Sequence, residues 1–150
     1  MTSPYDLARV VIDANSYMTI ATADHAGQPW PSPVWYTHVG YREFFWVSSP
    51  SARHSRNLTD RSQAGAVIFD SRTPAGNAQA VYMTVVAGPV AADQLTQGIA
   101  AYSARSRALV GRPWTAEDVS APAPVRLYRA RVSELFVIDG FDQRIRVSGH

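Results

Sequence analysis

Residues 44–58 read Phe-Phe-Trp-Val-Ser-Ser-Pro-Ser-Ala-Arg-His-Ser-Arg-Asn-Leu, and their order suggests anion chemistry. An apolar stretch ends in the hydroxyls of Ser48 and Ser49. Ser51 follows, and then a helix start carrying Arg53, His54 and Arg56. Strand-end hydroxyls, unpaired backbone N–H groups at a helix N-terminus and cationic side chains can all point at one spot, and a phosphate monoester fits such a site. The same residues have a plainer reading, with Ser51 as the helix N-cap and the arginines as a solvated face.

A second segment, Pro31-Ser32-Pro33-Val34-Trp35-Tyr36, bears on the same chemistry. Proline cannot donate to a β-ladder, so Pro31 and Pro33 mark an edge or an unpaired stretch. Unpaired backbone groups beside Trp35 form a wall for a planar polar ring. In the alternative, the prolines only blunt an edge strand and Trp35 is core.

Other chemistries find less support. The histidines stand at 25, 38, 54 and 150, and no pair has the spacing of a metal motif, so no protein-ligated metal is expected. There is no Gly-x-Ser-x-Gly elbow, no Gly-x-Gly-x-x-Gly and no Walker-type loop. The chain has no cysteine, which excludes disulfides, thiolate ligands and thiol nucleophiles. Its net charge of +2 comes from 14 basic residues, every one an arginine, without a basic run. Nucleic-acid binding is therefore not expected.

The elements that must position these residues can be read from periodicity. A length of 150 residues with 46% apolar and 17% charged composition reads as one globular domain. Leu7, Val10, Val11 and Ala14 fall at helical spacing behind Ser3, a candidate cap. Residues 17–22 and 30–39 are β-rich around the turn residues 24–28, which predicts a hairpin. A turn at 40–42 leads to a strand over 43–49, a short helix over 51–60 and a strand over 64–70. Residues 79–91 predict a long strand with a bulge or bend at Gly88-Pro89, followed by a helix over 93–109. An irregular, proline-bearing connection reaches a last strand over 125–138, and the polar tail beyond is expected to be loose. These pieces predict a mainly β protein with flanking helices, its six antiparallel strands closing into a small barrel. No apolar run approaches the ~18 residues of a membrane helix, and the N-terminus lacks a signal pattern, so a soluble, cytoplasmic protein is expected.

Taken in order, Thr-Ile-Ala-Thr…Gly-Gln-Pro, Ser-Pro-Val-Trp-Tyr, Phe-Phe-Trp-Val-Ser-Ser, Ala-Arg-His-Ser-Arg-Asn-Leu and Ala-Val-Ile-Phe-Asp resemble the pyridoxamine 5′-phosphate oxidase-like family. The resemblance covers residues 5–92 well and continues in element order only. It implies a split barrel that forms a homodimer, with two FMN sites at the subunit interface. It further implies that backbone groups near Pro33, Val34 and Trp35 face the isoalloxazine. The strand-end hydroxyl for the phosphate falls on Ser48, and the basic residue at the helix start falls on Arg53 after Ser51. A cofactor-contacting glutamine falls on Gln79. The family's oxidases carry two adjacent basic residues where this chain has Ala52 and Arg53, which leaves His54 or Arg56 to compensate. Their Arg-Leu-His substrate motif reads Arg126-Leu127-Tyr128 here, which argues against vitamin B6 oxidation.

The expected function is therefore an FMN-dependent oxidoreductase acting on a small molecule. The alternatives are an F420-dependent reductase using Arg53, Arg56 and Arg61, and a non-catalytic flavin- or haem-binding module.

Overall fold

The computed structural model describes residues 2–138 and 141–148. Helix α1 (Pro4–Ala14) begins where Ser3 Oγ accepts a hydrogen bond from the Asp6 amide at 3.1 Å. Pro4 fills the first turn, where a missing N–H removes no bond. Eight strands follow: β1 (Tyr17–Ala23), β2 (Pro29–Trp35), β3 (Thr37–Val39), β4 (Glu43–Ser48), β5 (Gln63–Phe69), β6 (Ala80–Pro89), β7 (Arg126–Ile138) and β8 (Arg144–Arg146). Helix α2 (Arg53–Asp60) joins β4 to β5, and α3 (Leu95–Val110) lies between β6 and β7.

The strands form one antiparallel sheet in the order β2-β1-β5-β6-β7-β4-β3, and β8 adds to β7. The two ends of that path, β2 and β3, are consecutive in the chain and separated only by Tyr36. The sheet therefore curls back on itself into a split barrel. β3 pairs with β4, whereas β2 turns away to pair with β1. The break sits at Tyr36, which is fully buried and whose hydroxyl donates to the Ile12 carbonyl at 2.6 Å. That bond ties the barrel's seam to the last turn of α1, and burial raises the phenol pKa far above its usual value.

The class expected from sequence holds, but the described residues form eight strands where six were expected, because β3 separates from β2 and β8 adds to β7. The segment read as one strand over 30–39 is divided at Tyr36. The tail read as loose supplies β8, because Val147 buries its side chain and its amide donates to the Leu135 carbonyl at 2.8 Å. The irregularity of β6 lies between Thr84 and Val85, not at Gly88-Pro89, which instead closes the strand.

Alternation along the strands sends Met18, Ile20, Val34, Phe44, Trp46, Ile68, Val81, Leu135 and Val137 into the barrel. A second cluster of Phe45, Ile99, Tyr102, Val119 and Leu127 lies outside the wall, beneath α3. Gly98 makes this close contact possible. A Cβ there would come within 3.1 Å of Leu127 Cδ2 and 3.2 Å of Phe45 Cε1.

Candidate functional site

Ser48 lies where the barrel splits. On one flank it pairs with Arg126 of β7, while on the other the β3 ladder ends with the Thr37–Phe45 pair. The chain then turns: Ser49 Oγ lies 2.8 Å from Ser51 Oγ and accepts from the Ser51 amide at 3.2 Å. The Ala52 amide donates to the Ser49 carbonyl at 3.1 Å. These bonds hold Ser51 in the turn before the helix, so the helix N-cap falls on Ala52, one residue later than the sequence suggested. Alanine has no side-chain acceptor, and the first amides of α2 are left without a side-chain cap. The junction thus presents hydroxyls and unpaired N–H groups together, as an anion site requires.

The basic residues take different roles. The Arg53 guanidinium carbon sits 4.3 Å from the centre of the Trp30 ring, so a cation–π contact holds the charge between the helix start and β2. His54 Nε2 is 3.0 Å from Ser48 Oγ. Burial lowers the pKa of this imidazole, which makes it a neutral hydrogen-bonding group at pH 7 and not a cation. Arg56 is exposed one turn along, with no side-chain hydrogen bond or ion pair among the described residues. Arg61 donates to the His25 carbonyl at 3.0 Å.

Two polar residues that sequence reasoning missed hold α2 in place. Asn57 Nδ2 donates to Thr22 Oγ1 at 3.1 Å, and Thr22 Oγ1 donates to the Trp30 carbonyl at 3.2 Å. Asn57 is buried beside Leu58, so a polar residue on the apolar side of a short helix was the available signal. Trp30 was missed as well, since only the fold brings it to Arg53.

On β2, Pro29, Pro31 and Pro33 alternate along a strand whose only partner among the described residues is β1. They cannot donate, so they occupy the unpaired edge and leave carbonyl acceptors there. Val34 points into the core. The Trp35 ring packs edge-on against Tyr102 of α3 at 5.5 Å. What Pro33, Val34 and Trp35 can offer a planar ring at this edge is therefore backbone.

Gln79 is not brought to this cluster. It is exposed, immediately before β6, beside the Ile138 end of β7, whereas Ser48 pairs with the Arg126 end. Of the other histidines, His25 is exposed in the β1–β2 turn, and His38 Nε2 is 3.0 Å from Asp13 Oδ1. His150 lies outside the described residues. Among the described residues no three His, Asp or Glu side chains converge as a metal site would need, and no helix is long and apolar enough to cross a membrane.

The sequence model described as pyridoxamine 5′-phosphate oxidase matches residues 6–139. The chain belongs to the pyridoxamine 5′-phosphate oxidase family. The family match runs from within α1 through the whole of β7, well past the region that the motifs alone covered. Solved structures share the fold. A haem-binding protein from Mycobacterium smegmatis superposes with a TM-score of 0.75 at 21% identity, over 98% of this chain and 58% of its own. HutZ, described as the haem storage protein of Vibrio cholerae, gives 0.68 at 22% identity over 93% of this chain and 95% of its own. A conserved hypothetical protein of Mycobacterium tuberculosis gives 0.69 at 18%, over 99% and 94%. At such identities these likenesses establish the fold alone. No curated protein matches by sequence.

Proposed function

We propose that this family member is an FMN-dependent oxidoreductase that works as a homodimer and holds the flavin phosphate at the β4–α2 junction. The observation that carries the reading is the uncapped start of α2, set beside the Ser48, Ser49 and Ser51 hydroxyls and the Arg53 charge. Arg53 and the α2 amides would bind the phosphate by charge-assisted hydrogen bonds. His54 would orient the Ser48 hydroxyl, and Arg56 would add charge at the rim. The acceptor-only edge at Pro31 and Pro33 suits the imide N–H of an isoalloxazine.

Bound flavin supplies the hydride chemistry, while the chain binds, orients and shields. Gln79, remote from Ser48 within one subunit, fits a site completed by a second copy. The outer sheet face supports that association. Tyr17 and Phe69 are exposed there, and a groove of about 460 Å³ runs past Val67, Tyr82 and Phe136.

The test is an anaerobic titration with FMN, followed by NADH or NADPH and then a small electron acceptor. Reduction and reoxidation support the oxidoreductase. Flavin that binds without being reduced points to a non-catalytic module, and tighter binding of F420 in competition would transfer the reading to that cofactor. Failure to bind FMN in any redox state overturns the reading.

A further inference from the structure

We infer that the groove between α3 and the β4–β7 wall is a second ligand site, taking a small carboxylic acid that also carries a hydrogen-bond donor. It goes beyond the FMN reading, since none of the phosphate-binding residues lines it. The groove encloses about 370 Å³ and is lined by Glu43, Phe45, Gln94, Gln97, Arg129 and Arg131 among others. That volume lies at the small end of known ligand sites.

The sheet register builds the charged wall. Arg131 stands opposite Glu43, and Arg129 stands opposite Phe45, on the face that α3 covers. Neither arginine makes an ion pair or side-chain hydrogen bond among the described residues. Two guanidinium forks with no partner match the two oxygens of a carboxylate.

The groove also asks for a donor. Gln94 Oε1 is buried and has no hydrogen-bond partner, a costly state for an acceptor. The Glu43 carboxylate lines the same groove and also accepts only. A 2-hydroxy or 2-amino acid satisfies both needs at once: its carboxylate meets the arginines, and its hydroxyl or ammonium meets Gln94 on the helix side and Glu43 beside Arg131 on the sheet. Phe45 and Gly98 form the floor, where the tight fit of α3 against the sheet keeps the walls at fixed spacing.

Isothermal titration calorimetry of the full chain with L-malate, L-glutamate and inorganic phosphate tests this. Both acids should bind, and phosphate should bind about 10-fold more weakly. Arg129→Gln and Arg131→Gln should each weaken the acids by ~10-fold or more, while Arg72→Gln, at a residue that pairs with Asp70 away from both sites, leaves them unchanged. Arg131 is exposed, so Arg131→Gln keeps the test decisive if Arg129→Gln fails to fold. No binding of either acid up to ~10 mM, or binding undiminished in a folded arginine variant, overturns the site. Phosphate binding as tightly as the acids, with the same arginine dependence, overturns the assignment to carboxylates.

Discussion

Arg53→Ala probes the proposed phosphate site with least damage to the fold. The side chain is exposed; it packs on the Trp30 ring at 4.3 Å and its charge acts on the exposed Asp24 carboxylate. An exposed cation–π pair contributes ~0.5–1 kcal/mol, so the unliganded variant should unfold only slightly more easily than the parent. A charge-assisted contact to a phosphate contributes ~1.5–3 kcal/mol, which corresponds to about 10- to 150-fold in Kd. FMN affinity should therefore fall far more than stability does. Arg56→Ala is the comparison: Arg56 lacks a described side-chain partner, so stability should change by less than ~0.5 kcal/mol, and FMN affinity by less than about 10-fold. Titration of flavin fluorescence gives both affinities, and thermal unfolding without flavin gives the stabilities. A larger loss from Arg56→Ala than from Arg53→Ala refutes the placement of the phosphate.

Two further perturbations read the framework around the site. The folded protein holds the His54 pKa below its ordinary value because burial disfavours the cation. The unfolded chain therefore takes up the proton first, and stability should decline as pH falls through ~6.5 toward the lowered folded value. Melting temperatures at pH 7.5 and 5.5 should show this decline, and His54→Asn should reduce it; an equal decline in that variant contradicts the burial argument. Tyr36→Phe removes the donor to the Ile12 carbonyl and leaves that buried acceptor unpaired. A loss of about 1–2 kcal/mol is expected from urea unfolding, and no loss would mean that the bond does not hold the seam.

Much of the scaffold was legible because it is local. The Ser3 cap, the β1–β2 hairpin, the short helix after Ser51 and the long strands each announce themselves through turn residues and period. The placement of the candidate site residues was legible in part. Ser48, Arg53 and His54 do gather at one junction, because a strand end and the helix that follows it are neighbours by necessity. What escaped depends on contacts distant in sequence. Trp30 meets Arg53 only after the hairpin folds beside α2, and Asn57 finds Thr22 across 35 residues. The cap moved to Ala52 because Ser51 and Ser49 bond to each other, a local competition that residue preferences do not rank. The sign of His54 also depends on burial, which the sequence does not state. Gln79 could be aligned with a cofactor contact but not located, since its distance from Ser48 follows from how the strands between them are ordered.

Whether the protein holds FMN is tested by the visible absorption spectrum of the purified protein, taken after incubation with excess FMN and removal of the unbound fraction. The expected result is the two-banded spectrum of oxidised flavin, with two FMN retained per dimer and the retention lost in Arg53→Ala. A protein that retains no flavin, oxidised or reduced, or that carries a histidine-dependent Soret band in its place, would contradict it.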